Sequence, residues 1–387
     1  MNDRPTNVAV LGSTGSIGQN TLSVIAESGG RFRILALSTN TSCQQIIEQA
    51  LQFSPQYIVV ADQQRAGQLD VSQLPAGTEL LSGAEGLSRV AALDEIDVVV
   101  AAIVGSAGLL STWSALEAGK RVALANKETM VMAGPLAIEV ARNSGAQLLP
   151  VDSEHSAVFQ ALQAGRTQDV RRVILTASGG PFREYTPEQL QHVTVDQALK
   201  HPTWKMGKKI TVDSATMMNK ALEIIEARWL FQLRKDQIDV VIHPQSVVHS
   251  MVEYVDGSVI AQLSPPDMRL PIQYALSYPE RWEGPADTID WTQAHQLTFE
   301  PPDEDRFPAL ALGLEVAHAG GTTGAVLNAA NEAAVAHFLD GRLAFSNIVP
   351  ACRAVLQHHN FETHPSLERL IALDTWARQE IAKWVNA

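Results

Sequence analysis

The polar stretch Pro150-Val151-Asp152-Ser153-Glu154-His155-Ser156 follows the apolar run Gln147-Leu148-Leu149. Asp152 and Glu154 lie two residues apart and share one side if the strand persists to Glu154. Two carboxylates on one face repel unless a cation or a proton lies between them. Oxygen ligation of that kind suits Mg2+ or Mn2+, with Co2+ a further choice, and not zinc. The same residues also fit a helix opening, with Asp152 or Ser153 as the cap of a helix from Ser156 to Leu162 and the acidic first turn favoured by the dipole.

A second constellation bears on that choice. Thr211-Val212-Asp213-Ser214-Ala215-Thr216-Met217-Met218-Asn219-Lys220-Ala221-Leu222-Glu223-Ile224-Ile225-Glu226 reads as a strand end followed by a helix. Met217, Met218, Ala221, Leu222, Ile225 and Trp229 form its apolar stripe, while Asn219, Glu223 and Glu226 fall on another face with Lys220 beside them. A solvated face has the same pattern. Asn and Lys before a carboxylate could instead hold a phosphate at one end and a metal at the other. Ser178-Gly179-Gly180, after the apolar run Val173-Ile174-Leu175, is a further loop able to wrap an anion with backbone N–H groups. Of the histidines, His155 and His249 read as capping or core residues, whereas His201 precedes Pro202 on a Trp- and Lys-bearing loop.

The third motif is Val8-Ala9-Val10-Leu11-Gly12-Ser13-Thr14-Gly15-Ser16-Ile17-Gly18. A strand entering a glycine turn and then a helix offers unpaired N–H groups to a pyrophosphate. A bare strand-to-helix turn is the plainer alternative. The end of the second apolar run, Ser38-Thr39-Asn40-Thr41-Ser42, carries no Asp or Glu to bind a ribose 2′-hydroxyl, which favours NADP over NAD.

These groups need elements to hold them. From Asn7 to about Pro150, the runs NVAVLG, FRILALS, YIVVAD, IDVVVAAIVG and RVALAN alternate with helical stretches, predicting a doubly wound parallel sheet in a Rossmann-like domain over 1–150. Residues 151–280 read as an α+β domain whose strands include VRRVILTASGG and KKITVDS, with a hairpin turn at Asp256-Gly257. A proline-rich linker follows over 281–306, and then a four-helix bundle over 307–387, with helices near 307–318, 324–339, 345–358 and 366–385.

Composition sets outer limits. The chain has 387 residues, 45% of them hydrophobic, and a net charge of −13, which disfavours nucleic acid and anionic membranes. Arg171-Arg172 and Lys205 to Lys209 are local basic clusters, the second suited to a loop closing over an anion. No apolar stretch reaches the ~20 residues of a membrane span, and the apolar core near the N-terminus is shorter than the ~7–15 residues of a secretory signal. With two distant cysteines, Cys43 and Cys352, neither a disulfide framework nor a zinc knuckle is expected, and a cytoplasmic location fits. A short-chain dehydrogenase would need Tyr-x-x-x-Lys, and none of Tyr57, Tyr185, Tyr254, Tyr274 or Tyr278 has Lys four residues later. A thioester-forming dehydrogenase would need a cysteine in the second domain.

Over nearly its whole length the chain resembles the 1-deoxy-D-xylulose 5-phosphate reductoisomerase family. The resemblance rests on GSTGSIG at the start, LANKE at 124–128, LLPVDSEH at 148–155, SGGPFRE at 178–184, HPTWKMGKKITVDSATMMNK at 201–220, EARWLF at 226–231, IHPQSVVHSMV at 242–252 and LNAANEAAVAHF at 327–338. It implies an NADPH- and divalent-metal-dependent rearrangement and reduction of the sugar phosphate by a homodimer. Carried over by position, it implies Asp152, Glu154 and Glu223 as metal ligands, and Lys127 and His201 beside them as catalytic groups. Ser153, Ser178, Ser214, Asn219 and Lys220, with Lys127, His201, Glu154 and Glu223, become substrate contacts. Thr14, Gly15, Ser16, Ile17, Asn40, Asn126, Glu128 and Gly207 become cofactor contacts, and Trp204 and Met206 fall on a flexible lid. The stretch Asn40-Thr41-Ser42 departs from the family's common Gly-Lys-Asn, which leaves open the side chain that holds the 2′-phosphate. The different-class alternative is an NADP-binding sensor without catalysis.

Overall fold

The computed structural model describes residues 4–204 and 206–386, so Lys205 of the second basic cluster lies outside the described residues. The chain divides into two compact units, one of residues 1–129, 137–156 and 267–287, the other of 130–136, 157–266 and 288–387.

In the first unit, seven parallel strands form one sheet: β1 (Thr6–Leu11), β2 (Phe32–Thr39), β3 (Tyr57–Val60), β4 (Glu79–Ser82), β5 (Val98–Ala101), β6 (Arg121–Leu124) and β7 (Gln147–Pro150). Their spatial order is β4-β3-β2-β1-β5-β6-β7. The central strands carry unbroken apolar runs because both faces are covered: Val8 through Leu11 are completely buried. Burying each such Val or Leu contributes roughly 1.5–3 kcal/mol. The order reverses between β1 and β5, which is where open α/β sheets leave a crevice for ligands. β4 is the strand the apolar runs did not reveal, being short and exposed at the sheet edge.

The division differs from the expected boundaries at 150, 280 and 306. Residues 267–287 belong to the first unit: the helix Arg269–Ser277 packs on the helix Ser16–Ala26, and Trp282 lies against Phe32 at 6.1 Å between ring centroids with Arg31 over its face. The residues after 306 fall in the second unit.

The second unit holds the four-stranded sheet β11-β10-β8-β9, made of β8 (Val170–Ala177), β9 (Ile238–Ile242), β10 (Val248–Tyr254) and β11 (Val259–Leu263). β8 and β9 are parallel, and the other pairs are antiparallel. The expected hairpin joins β10 to β11, with Gly257 at φ +86° in the turn. The helices Ala309–Ala319, Thr323–Leu339, Ile348–His358 and Leu367–Asn386 share one apolar core with this sheet, in which Val173 and Leu175 join Val326, Phe338 and Ile381. Gly313 allows a close backbone approach, since a Cβ there would stand 2.6 Å from Cα of Ala221. Expected linker residues also join this unit, with Ile242 and Glu300 forming an antiparallel bridge.

One expected strand is a helix. KKITVDS lies in the helix Lys208–Ala215, whose buried side is Thr211, Val212, Asp213 and Ala215. Its β-branched residues suggested a strand, but packing overrode that weak local preference. Met217, at φ +62°, turns the chain into the next helix, Met218–Leu230.

Candidate active site

In the first unit, β7 ends at Pro150 and the helix Ser153–Ala161 begins three residues later. The strand therefore does not persist to Glu154, which sits in the first helical turn: the carboxylates are presented by a strand-to-helix turn. The Asp152 carbonyl accepts the Ser156 N–H at 2.8 Å, as a helix opening requires. The Asp152 carboxylate turns elsewhere, with Oδ2 2.7 Å from Lys127 Nζ and 3.6 Å from His155 Nδ1. Burial alone would raise its pKa, but the Lys127 ammonium and the His155 ring overcome that and hold the carboxyl far below its ordinary range. Asp152 is thus kept as an anion inside the protein. Glu154 accepts a hydrogen bond from Ser153 Oγ at 2.7 Å.

Lys127 is itself buried, where the chain leaves β6 and enters the helix Glu128–Ser144. Asn126 beside it is a structural clamp, its amide donating to the Ile103 carbonyl at 2.9 Å and accepting from Thr129 Oγ1 at 2.8 Å. Glu128 is buried next to it. At the switch point, Gly12 stands at φ +86°, and a Cβ there would lie 2.6 Å from the Ala102 carbonyl oxygen after β5. A Cβ on Gly18 would lie 2.3 Å from the Gly12 carbonyl oxygen, so both glycines are demanded by close backbone packing. Gly15 is different: it is exposed, and no other part of the chain crowds it closer than 3.4 Å. It opens the helix Ser16–Ala26 without a side-chain cap, leaving the N–H groups of Ser16 and Ile17 for an external acceptor. Thr14 is tied to the end of β2 through Thr39 at 2.8 Å, and Asn40 follows as an exposed residue. This open, uncapped cradle fits a dinucleotide pyrophosphate.

In the second unit, β8 delivers Ser178 into a turn of two positive-φ glycines, Gly179 and Gly180. A Cβ on Gly180 would stand 2.7 Å from the Ser214 carbonyl oxygen, so the Ser178 loop presses on the helix end that carries Ser214. His201 joins them: its Nδ1 accepts the backbone N–H groups of Thr203 at 3.1 Å and Trp204 at 2.9 Å. Its proton therefore sits on Nε2, which donates to Ser178 Oγ at 3.2 Å. Burial pushes the His201 pKa down, consistent with this neutral tautomer. Ser178 Oγ also receives the Gly180 N–H at 3.2 Å, so it accepts from both of these partners.

The helix Met218–Leu230 also begins without a side-chain cap. Its Glu223 is completely buried and receives hydrogen bonds from the Asn219 amide and the Lys220 ammonium, and Lys220 is only 3% exposed. The face bearing Lys220, Glu223 and Glu226 is interior, not solvated. A carboxylate clasped by a buried lysine thus occurs in each unit. Gly207, expected at the cofactor, is the N-cap of the helix Lys208–Ala215. Trp204 faces His249 at 6.3 Å between rings.

His155, read as a capping or core residue, is completely buried against Asp152. One site feature was not read from the residues. Asp213, 1% exposed, is held by Lys209 at 2.9 Å and by the Asn331 amide at 2.8 Å, which ties the residue before Ser214 to the helix Thr323–Leu339. The adjacent Ser214 and the unusual string around Asn331 were the available signals.

A glycine cradle at the switch point of a doubly wound sheet, and a second α+β unit with buried carboxylate–lysine clasps and a serine-lined anion turn, define the class of two-unit dinucleotide-dependent enzymes. The family model for 1-deoxy-D-xylulose 5-phosphate reductoisomerase matches residues 8–134, that for its C-terminal domain matches 148–231, and one for a DXP reductoisomerase C-terminal domain matches 263–380. The proteins of that name from Chlorobaculum tepidum and Rhodopirellula baltica are 51% and 49% identical to this chain, over 96% and 97% of it and 98% and 94% of their own lengths. The Zymomonas mobilis enzyme, solved in complex with NADPH, superposes with a TM-score of 0.93 at 44% identity, covering 99% of this chain and 100% of its own. A reductoisomerase solved with NADPH, fosmidomycin and magnesium gives a TM-score of 0.93 at 42% identity over 98% of each chain. The chain belongs to the 1-deoxy-D-xylulose 5-phosphate reductoisomerase family.

Proposed function

We propose that the protein converts 1-deoxy-D-xylulose 5-phosphate to 2-C-methyl-D-erythritol 4-phosphate, oxidising NADPH and requiring a divalent cation. Fully buried Glu223, clasped by Asn219 and Lys220 in a chain of this family, carries the reading. A regulatory module that only sensed NADP would have no use for a buried carboxylate so held, because burying charge is costly.

Asp152, Glu154 and Glu223 are the ligands we assign to the cation, an all-oxygen set suited to Mg2+ or Mn2+. When bound, the cation supplies Lewis-acid polarisation of the substrate carbonyl, and NADPH supplies the hydride. The protein's part is preorganisation. Lys127 keeps Asp152 ionised at 2.7 Å, so the donor is ready without proton loss. Asn219 and Lys220 fix the rotamer of Glu223, and Lys220 offers a positive charge near the phosphate assigned to Ser178, Ser214 and Asn219. Neutral His201 orients the Ser178 hydroxyl so that its proton is offered outward. The uncapped start of the helix Ser16–Ala26 receives the NADPH pyrophosphate, beside Thr14, Gly15, Ser16 and Ile17. Trp204 and Met206 belong to the segment assigned as a lid, which would exclude water from the reacting groups.

The protein acts as a homodimer in this reading, joined along β11, the edge strand on which Val259 and Ile260 are 48% and 38% exposed. Among the described residues no helix is long and apolar enough to cross a membrane. A cytoplasmic location fits the two widely separated free thiols, Cys43 and Cys352.

The test is NADPH oxidation with 1-deoxy-D-xylulose 5-phosphate before and after EDTA. Turnover that EDTA abolishes and Mg2+ or Mn2+ restores is expected; turnover indifferent to EDTA would sink the metal-dependent reading.

A further inference from the structure

Resting on the assignment of NADPH as cofactor, we infer that Arg65 holds the adenosine 2′-phosphate and makes the chain prefer NADPH to NADH. The end of β2 is where this fold reads the adenosine ribose, and a positive side chain there accommodates a 2′-phosphate. Neither Asn40, Thr41 nor Ser42 offers a charge. The charge comes from the next crossover: Arg65 lies in the short helix Gln63–Gln68 that follows β3, the strand paired with β2.

Three observations bring Arg65 to that position. It lines a cavity of about 740 Å3 together with Thr41, Ser42, Cys43, Gln45 and Gln68. The backbone is fixed on both sides, the Arg65 N–H by the Asp62 carboxylate at 2.8 Å and the Arg65 carbonyl by Cys43 Sγ at 3.8 Å. That second contact ties the start of Arg65's helix to the start of the helix Cys43–Phe53. Finally, the Arg65 side chain is exposed and its guanidinium makes no ion pair or hydrogen bond among the described residues, unlike Arg89, which is spent on Glu79 at 2.9 Å. Glu48, the carboxylate lining the same cavity, is engaged by the Gln44 amide at 3.1 Å. The Ser42 hydroxyl does not cap its own helix, so it too is available to a phosphate oxygen. A planar guanidinium facing a dianion gives paired, charge-assisted hydrogen bonds that a 2′-hydroxyl cannot match.

The experiment measures dissociation constants of the full chain for NADPH and NADH by fluorescence, and for adenosine 2′,5′-bisphosphate and 5′-AMP by calorimetry, in wild type, Arg65→Gln and Arg65→Lys. Arg65→Gln is expected to weaken NADPH and the bisphosphate by about tenfold, leaving NADH and 5′-AMP within about twofold, while Arg65→Lys keeps most of the preference. An unchanged NADPH affinity in Arg65→Gln, or an equal loss for both cofactors, overturns the assignment. Wild type without preference for NADPH overturns it too, and sinks the cofactor reading with it.

Discussion

Asp152 and Glu223 show how charge is kept in an interior. Each is an anion held beside an ammonium, Lys127 for one and Lys220 for the other, and such partners offset the desolvation that burial costs. The sequence, with Glu223 as a third carboxylate, favoured a strand delivering Asp152 and Glu154 as a metal pair over a helix cap, and the structure instead places them in a turn that opens a helix. The two readings were never exclusive, because a strand-to-helix turn can satisfy the backbone while its carboxylates point elsewhere. Lys127 was legible only through family resemblance, since nothing in its spacing links it to Asp152. His249 illustrates the opposite treatment of charge. Burial, with the Lys220 ammonium nearby, lowers its pKa to about 4, so it is neutral in the fold. An unfolded histidine titrates near 6.5, so stability is full above that pH and falls as pH drops from about 6.5 toward 4. At pH 5 the loss from His249 is about 2 kcal/mol. Urea unfolding at pH 7 and pH 5 should therefore show about 2 kcal/mol less pH dependence in His249→Gln, and an undiminished pH dependence would contradict this.

Among the elements, the parallel strands were the most legible, because strands covered on both faces must carry unbroken apolar runs. The helix Lys208–Ala215 was not, since Ile210, Thr211 and Val212 favour a strand locally and only packing against the rest of the unit decides otherwise. The helix Glu128–Ser144 hides another tertiary choice. Pro135 has no N–H to give the Val131 carbonyl, the backbone kinks at Ala133, and Gly324 packs against that freed carbonyl. A Cβ on Gly324 would stand 2.0 Å from the Val131 oxygen. Gly324→Ala should cost about 1–3 kcal/mol, by the usual penalty of overpacking, even though alanine is the better helix former. A variant as stable as wild type in urea would show that the contact yields freely.

For the whole molecule, the two compact units differ from the boundaries expected at 150, 280 and 306, because units are set by the core they share, whereas patterning follows composition along the chain. Residues 267–287 return to the first unit through Trp282 and the helix Arg269–Ser277, and the C-terminal helices merge with the core beneath β8. Neither connection leaves a local signal, since both are long-range packing. The proposed dimer belongs to this scale as well. β11 presents Val259 and Ile260 at the edge of its sheet, and Ile260→Lys is expected to shift sedimentation from dimer to monomer. Wild type that sediments as a monomer would contradict the assembly.

The central claim is that Glu223 serves a cation and not merely the stability of its helix. The most direct measurement is turnover of 1-deoxy-D-xylulose 5-phosphate by Glu223→Gln with saturating Mg2+ or Mn2+, alongside its dissociation constant for NADPH. The account predicts a loss of at least about a thousandfold in turnover with NADPH affinity nearly intact; wild-type turnover in Glu223→Gln would contradict it.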